Sequence, residues 1–155
     1  MTVNKVMVIG AGQMGGGIAQ VLATSGYEVY LHDLKEEFVD KGVAVIQKNL
    51  NRLVEKGKLT EENQRQIVEH IIPSTDLNNA AKVDLVIEAA VENMTIKQKL
   101  FKDLDVIAQE HTILATNTSS LPITEIAAVT GRPEKVIGMH FMNPVPVMQL
   151  IEIIR

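Results

Sequence analysis

Lys5-Val6-Met7-Val8-Ile9-Gly10-Ala11-Gly12-Gln13-Met14-Gly15 is the stretch whose reading decides the fold. Its first five residues form an almost fully apolar run ended by glycine, which suits a strand buried on both faces of a parallel sheet. Gly10, Gly12 and Gly15 follow in the spacing G-x-G-x-x-G, and a helix opens there, because Ile18, Val21 and Leu22 recur at helical spacing until Ser25-Gly26. Residues 28–33 read as a second strand, closing a βαβ unit of about 30 residues.

In that context each glycine has its own job. Gly10 allows the tight turn, Gly12 lets a pyrophosphate approach bare backbone, and Gly15 permits close packing of helix on strand, with helix N–H groups facing the phosphates. Asp33 ends the second strand, where a carboxylate accepts hydrogen bonds from adenosine ribose hydroxyls and repels a 2′-phosphate. NAD is therefore the expected cofactor rather than NADP; the alternative for Asp33 is a cap on the next helix. His32 reads as a partly exposed strand residue without a role.

Outward from this unit, Val39, Val43, Ile46, Leu50, Leu53 and Val54 step by threes and fours, predicting one long amphipathic helix from 35 to about 57. Thr60-Glu61-Glu62 opens a partner helix to about 69, so residues 35–70 form a helical hairpin between strands. Strand and helix then alternate: strands at 71–72, 83–89 and 112–116, a helix over 95–109 and a short one over 124–129. Two last apolar runs, 136–141 and 147–153, flank Asn143-Pro144-Val145-Pro146, whose prolines make a stiff turn. The expected architecture is one doubly wound α/β domain with a mostly parallel sheet over residues 1–155.

Composition agrees. At 46% hydrophobic and 22% charged, 155 residues bury a proper core, which excludes a disordered chain. A formal net charge of -4 supplies no positive field, so neither nucleic acid nor a membrane surface is an expected partner. Cysteine is absent, which excludes disulfides, thiolate metal sites and cysteine nucleophiles; no metal is expected. From Met1 the sequence enters the glycine turn without a leader-like apolar region, and no run reaches transmembrane length, so a cytoplasmic location is expected.

His140 falls at the end of a predicted strand, on the edge of a parallel sheet where ligands bind. Glu152 sits inside Leu150-Ile151-Glu152-Ile153-Ile154, and a carboxylate buried in such a strand needs a partner. Across the proline turn, His140 is the expected one. A carboxylate on one ring nitrogen fixes the tautomer and leaves the other free to exchange a proton with an alcohol.

Gly10-x-Gly12-x-Met14-Gly15-x-Gly17-Ile18-Ala19, Glu88-Ala89-Ala90-Val91-Glu92-Asn93, Asn117-Thr118-Ser119-Ser120-Leu121 and Gly138-Met139-His140-Phe141-Met142-Asn143-Pro144 occur in this order. Together they resemble the 3-hydroxyacyl-CoA dehydrogenase family, on its bacterial 3-hydroxybutyryl-CoA branch. The resemblance covers the family's N-terminal Rossmann domain. The C-terminal helical domain, which in the family builds the homo-oligomer and completes the substrate site, is expected to lie outside these residues.

The resemblance implies NAD-dependent oxidation of a 3-hydroxyacyl-CoA, or the reverse reduction. It implies the dyad His140 and Glu152, and a Ser119 hydroxyl on the substrate's C3 oxygen; taken alone, Ser119 is equally a helix N-cap. Gln13, Met14 and Ala90 join the glycines around the cofactor, Glu92, Lys97 and Asn117 hold its nicotinamide riboside, and Asn143 stands near the reacting carbon. By itself Asn143 reads as an Asx-Pro turn former. Lys41, Lys48, Arg52 and Lys56 share one helical arc, which is either a solvated face or, for Arg52 and Lys56, the grip on coenzyme A phosphates that the resemblance implies. Two rivals stand beside this reading. A 3-hydroxyisobutyrate- or 6-phosphogluconate-type dehydrogenase leaves His140, Asn143 and Glu152 unexplained, and a non-catalytic NAD-binding module explains the glycine turn alone.

Overall fold

The computed structural model describes residues 2–90, 92–118 and 121–155. In chain order the first elements are β1 (Lys5–Ile9), α1 (Gln13–Thr24), β2 (Glu28–His32), α2 (Glu36–Glu55), α3 (Glu61–Glu69) and β3 (Ile71–Ser74). They are followed by β4 (Leu85–Glu88), α4 (Met94–Ile107), β5 (Ile113–Thr116), α5 (Ile123–Ala127), β6 (Val136–Phe141) and β7 (Ile151–Ile154). No described helix is long and apolar enough to cross a membrane.

Side-chain alternation along β1 divides the core. Val6 and Val8 pack with Ile18 and Ala19 of α1 and Ile46 and Leu50 of α2, while Met7 and Ile9 pack with Phe101 and Leu104 of α4. The sheet between these two layers has the order β3-β2-β1-β4-β5-β6-β7. Its first six strands are parallel, and β7 runs antiparallel to β6. Strand order reverses between β1 and β4, which opens a crevice at their C-terminal ends.

The apolar stripe of α2 buries Val39, Ile46 and Leu50, and the Thr60 hydroxyl caps α3 by accepting the Asn63 N–H. Other expectations need correction. The last strand, predicted over 147–153, begins only at Ile151, because the N–H groups of Val147 and Met148 both turn back to the Pro144 carbonyl. Two 3-10 helices, Leu77–Lys82 and Pro133–Lys135, are too short to leave a periodic signal. His32 is buried rather than partly exposed, since β3 pairs outside β2 and sets Ser74 opposite it, Oγ 3.1 Å from His32 Nδ1. Burial lowers the His32 pKa, against the opposing pull of Asp33 and Asp76.

At the other end of the sheet, Asp84 joins three segments. One carboxylate oxygen accepts the N–H groups of Asn4 (2.9 Å) and Lys5 (3.1 Å), and the other lies 2.8 Å from His111 Nε2. The Asn4 amide, the His111 ring and the Lys5 amide together lower its pKa to about 2.

Candidate cofactor and catalytic site

The glycine turn is built so that only glycine fits at two of its positions. Gly10 has φ +105°, and a Cβ there would stand 2.8 Å from the Ala89 carbonyl oxygen; one on Gly15 would stand 1.6 Å from the Gly10 carbonyl oxygen. At Gly12 and Gly16 a Cβ would meet nothing within 4 Å. Bare backbone thus faces open space at the start of α1, whose N-cap Gly12 offers no side chain to the first amides. This is a cradle that a pyrophosphate fits.

Asp33 stands at its side. Its Oδ2 accepts the Ala11 N–H at 2.9 Å and its Oδ1 the Leu34 N–H at 2.7 Å. The N-cap of α2 is Lys35, so the helix-cap alternative for Asp33 falls. Of the neighbouring residues expected at the cofactor, Met14 packs its side chain toward the α1/α2 layer of the core, and Gln13 Nε2 reaches Asn143 Oδ1 at 3.4 Å.

On the far side of the strand reversal, the ends of β4 and β5 carry a polar network. The Ala90 N–H donates to Glu88 Oε2 (2.6 Å), and the Thr118 hydroxyl to Glu92 Oε2 (2.6 Å). Asn117 donates its backbone N–H to the Glu88 carbonyl and accepts the Phe141 N–H on its side-chain oxygen at 2.8 Å, tying β5 to the residue after His140. Lys97, expected against the nicotinamide riboside, is only 1% exposed and meets Glu88 at 2.5 Å. Ser119 lies outside the described residues.

His140 and Glu152 are register partners across β6 and β7, side chains on one face of the pair. They are directly opposed, as the proline turn requires, but the premise of a buried carboxylate is corrected. Every residue of β7 is exposed, because it is an edge strand whose apolar run does not lie inside the sheet. No hydrogen bond joins the two side chains among the described residues.

Between α1, α2 and the turn after β6 lies an open cleft of about 810 Å³. Arg52 and Lys56 line it together with Asn143, so the turn former and two members of the basic arc share one wall-to-wall space with the glycine-rich helix. Asn49, which the sequence reading did not single out, lines it too and donates to the buried Gln20 Oε1 at 3.2 Å. Its three-residue spacing to Arg52 and seven-residue spacing to Lys56, which put all three on one helix face, was the available signal. The turn seats against α1 at Gly17, where a Cβ would stand 3.0 Å from Val145 Cβ.

A sheet that reverses beside a bare glycine turn, with an acid at the end of β2, defines a dinucleotide-binding domain. Residues 5–155 match the family described as 3-hydroxyacyl-CoA dehydrogenase, NAD binding domain, and the chain belongs to it. It is 58% identical over 151 residues to a probable 3-hydroxybutyryl-CoA dehydrogenase of Deinococcus radiodurans, covering 97% of this chain and 54% of the relative. A probable 3-hydroxybutyryl-CoA dehydrogenase of Bacillus subtilis is 54% identical over 155 residues, covering 100% and 54%. The crystal structure of (S)-3-hydroxybutyryl-CoA dehydrogenase from Ralstonia eutropha superposes with a TM-score of 0.95 at 46% identity, covering 98% of this chain and 54% of that one. The chain spans about half the length of these relatives.

Proposed function

We propose that the protein interconverts a 3-hydroxyacyl-CoA, such as 3-hydroxybutyryl-CoA, and the corresponding 3-oxoacyl-CoA. The observation that carries this reading is the His140–Glu152 register pair, set just before the turn whose Asn143 lines the cleft with Arg52 and Lys56. The names of the relatives support the same reaction.

Bound in this cradle, NAD would supply the hydride acceptor for the carbon that carries the hydroxyl. His140 takes the hydroxyl proton on one ring nitrogen, and Glu152, opposite it on the same face, steadies the imidazolium that forms. Ser119 keeps the role that the resemblance implies, a hydrogen bond to the substrate oxygen as its charge changes. Asp33 holds the adenosine ribose, and the open backbone at Gly12 takes the pyrophosphate. Arg52 and Lys56 attract the phosphates of coenzyme A into the cleft, with Asn49 beside them.

The test is NADH oxidation by acetoacetyl-CoA, followed in parallel with NADH binding. Saturable turnover of acetoacetyl-CoA, with free acetoacetate inert, is the expected outcome. Tight NADH binding with no turnover of 3-oxoacyl-CoA of any chain length would make the protein a non-catalytic NAD-binding module.

A further inference from the structure

The most deeply buried charges of the described molecule belong to Glu88, 0% exposed at the end of β4, and Lys97, 1% exposed near the start of α4. Both carboxylate oxygens are engaged. Oε1 accepts the Lys97 ammonium at 2.5 Å and the Thr116 hydroxyl at 2.7 Å, while Oε2 accepts the Ala90 N–H at 2.6 Å. Stability alone does not call for this arrangement. A buried ion pair is commonly matched or bettered by apolar side chains of similar size, and the N-terminal end of a helix repels a cation.

What the pair does hold is the connection between β4 and α4. Glu88 itself ends the strand, Ala90 follows two residues on, and Lys97 lies in the first turns of the helix, so one carboxylate links the strand end, the start of the loop and the helix. The Ala89 carbonyl of that loop is the atom against which Gly10 packs. Its Glu92 accepts the hydroxyl of Thr118, just beyond β5. A dinucleotide bound across the β1/β4 reversal with its adenosine ribose at Asp33 would have its other half toward the ends of β4, β5 and β6. Ala89, Ala90 and Glu92 border that second half, on the same C-terminal edge of the sheet as His140.

We propose that Glu88 is a positioning residue for the nicotinamide half of NAD, holding the β4–α4 loop in its receiving geometry through Ala90, Thr116 and Lys97. It touches no cofactor atom itself, and the proposal rests on the NAD-binding character of the domain.

The experiment titrates wild type, Glu88→Gln and Thr116→Val with NADH and, separately, with ADP, which lacks the nicotinamide half. Melting temperatures are recorded alongside. Glu88→Gln is expected to raise the NADH Kd at least tenfold and Thr116→Val about threefold, while the ADP Kd stays within twofold in both. Thr116→Val keeps both charges and the strand intact, so it decides the matter even if Glu88→Gln does not fold. Parallel weakening of NADH and ADP would reduce Glu88 to a structural residue, and an NADH Kd unchanged in the folded variants would overturn the proposal. Failure of the wild type to bind NADH would instead overturn the cofactor reading on which it rests.

Discussion

The Ala11 N–H donates to Asp33 Oδ2 at 2.9 Å, so the acid at the end of β2 is fastened to the glycine turn that it flanks. In the proposed role, a carboxylate aimed by two fixed bonds, from the Ala11 and Leu34 amides, would present its remaining lone pairs to a ribose diol without searching for them and keep negative charge where a 2′-phosphate would fall.

Asp33→Asn is accordingly expected to weaken NAD binding roughly tenfold or more, as loss of a charge-assisted hydrogen bond does, while NADP binding improves. Calorimetric Kd values for the two cofactors check this, and an unchanged ratio between them removes Asp33 from cofactor selection.

For the proposed dyad, His140→Ala should lower kcat for acetoacetyl-CoA reduction by about a hundredfold or more, with the NADH Kd unchanged. Glu152→Gln should cost less, about tenfold, and leave the melting temperature where it was, since its side chain is exposed and leaves no buried charge unpaired. A marked fall in melting temperature without loss of rate would assign Glu152 to the fold instead.

The two neighbouring glycines of α1 should respond with opposite sign. Gly16→Ala places its methyl in open space and gains helix propensity, raising stability by about 0.5–1 kcal/mol. Gly17→Ala drives its methyl toward Val145, displacing the turn that bears Asn143 and lowering stability by about 1–2 kcal/mol. Thermal melts separate them, and the same sign for both would mean that the turn is not seated on Gly17.

Asp84 should give the fold a measurable acid limb. Its pKa falls from the ordinary 3.8 to about 2, so its contribution is fully present above about pH 4 and is lost as the pH drops toward 2. Comparing wild type with Asp84→Asn, the stability gap should be about 1–2 kcal/mol at pH 6, allowing for solvent screening, and should close toward pH 2. Urea unfolding across that range reads it directly, and a gap independent of pH would contradict the assignment.

The first strand, the glycine turn, α1 and β2 were legible because each obeys a local rule: a period, a steric need for glycine, an acid at a strand end. The stripe of Val39, Ile46 and Leu50 announced α2 in the same way, and all three are buried. What escaped depends on partners far along the chain. The run around Glu152 looked like buried strand, yet only the sheet order reveals that β7 is an edge with its residues outward. Lys97 looked like a residue free to meet a ligand, and its burial follows from the packing of α4 onto the end of β4. Asn49 carried a usable helical spacing, but the cleft that gives it meaning requires α1, α2 and the turn after β6 to come together.

The strand order also ranks the two halves of the site by how they assemble. His140 and Glu152 are brought together by a short antiparallel connection, whereas the cofactor crevice exists only once Val6 pairs with Leu85, the widest sequence separation between adjacent strands of this sheet. Closing that loop costs roughly 1–2 kcal/mol more in chain entropy than closing the β6–β7 turn. Contacts of such long range are disfavoured early in folding, so the dyad's strand pair can form while the crevice is still unmade. Recovery of NADH binding during refolding therefore reports completed topology, and it should lag any signal that follows β6 and β7 alone.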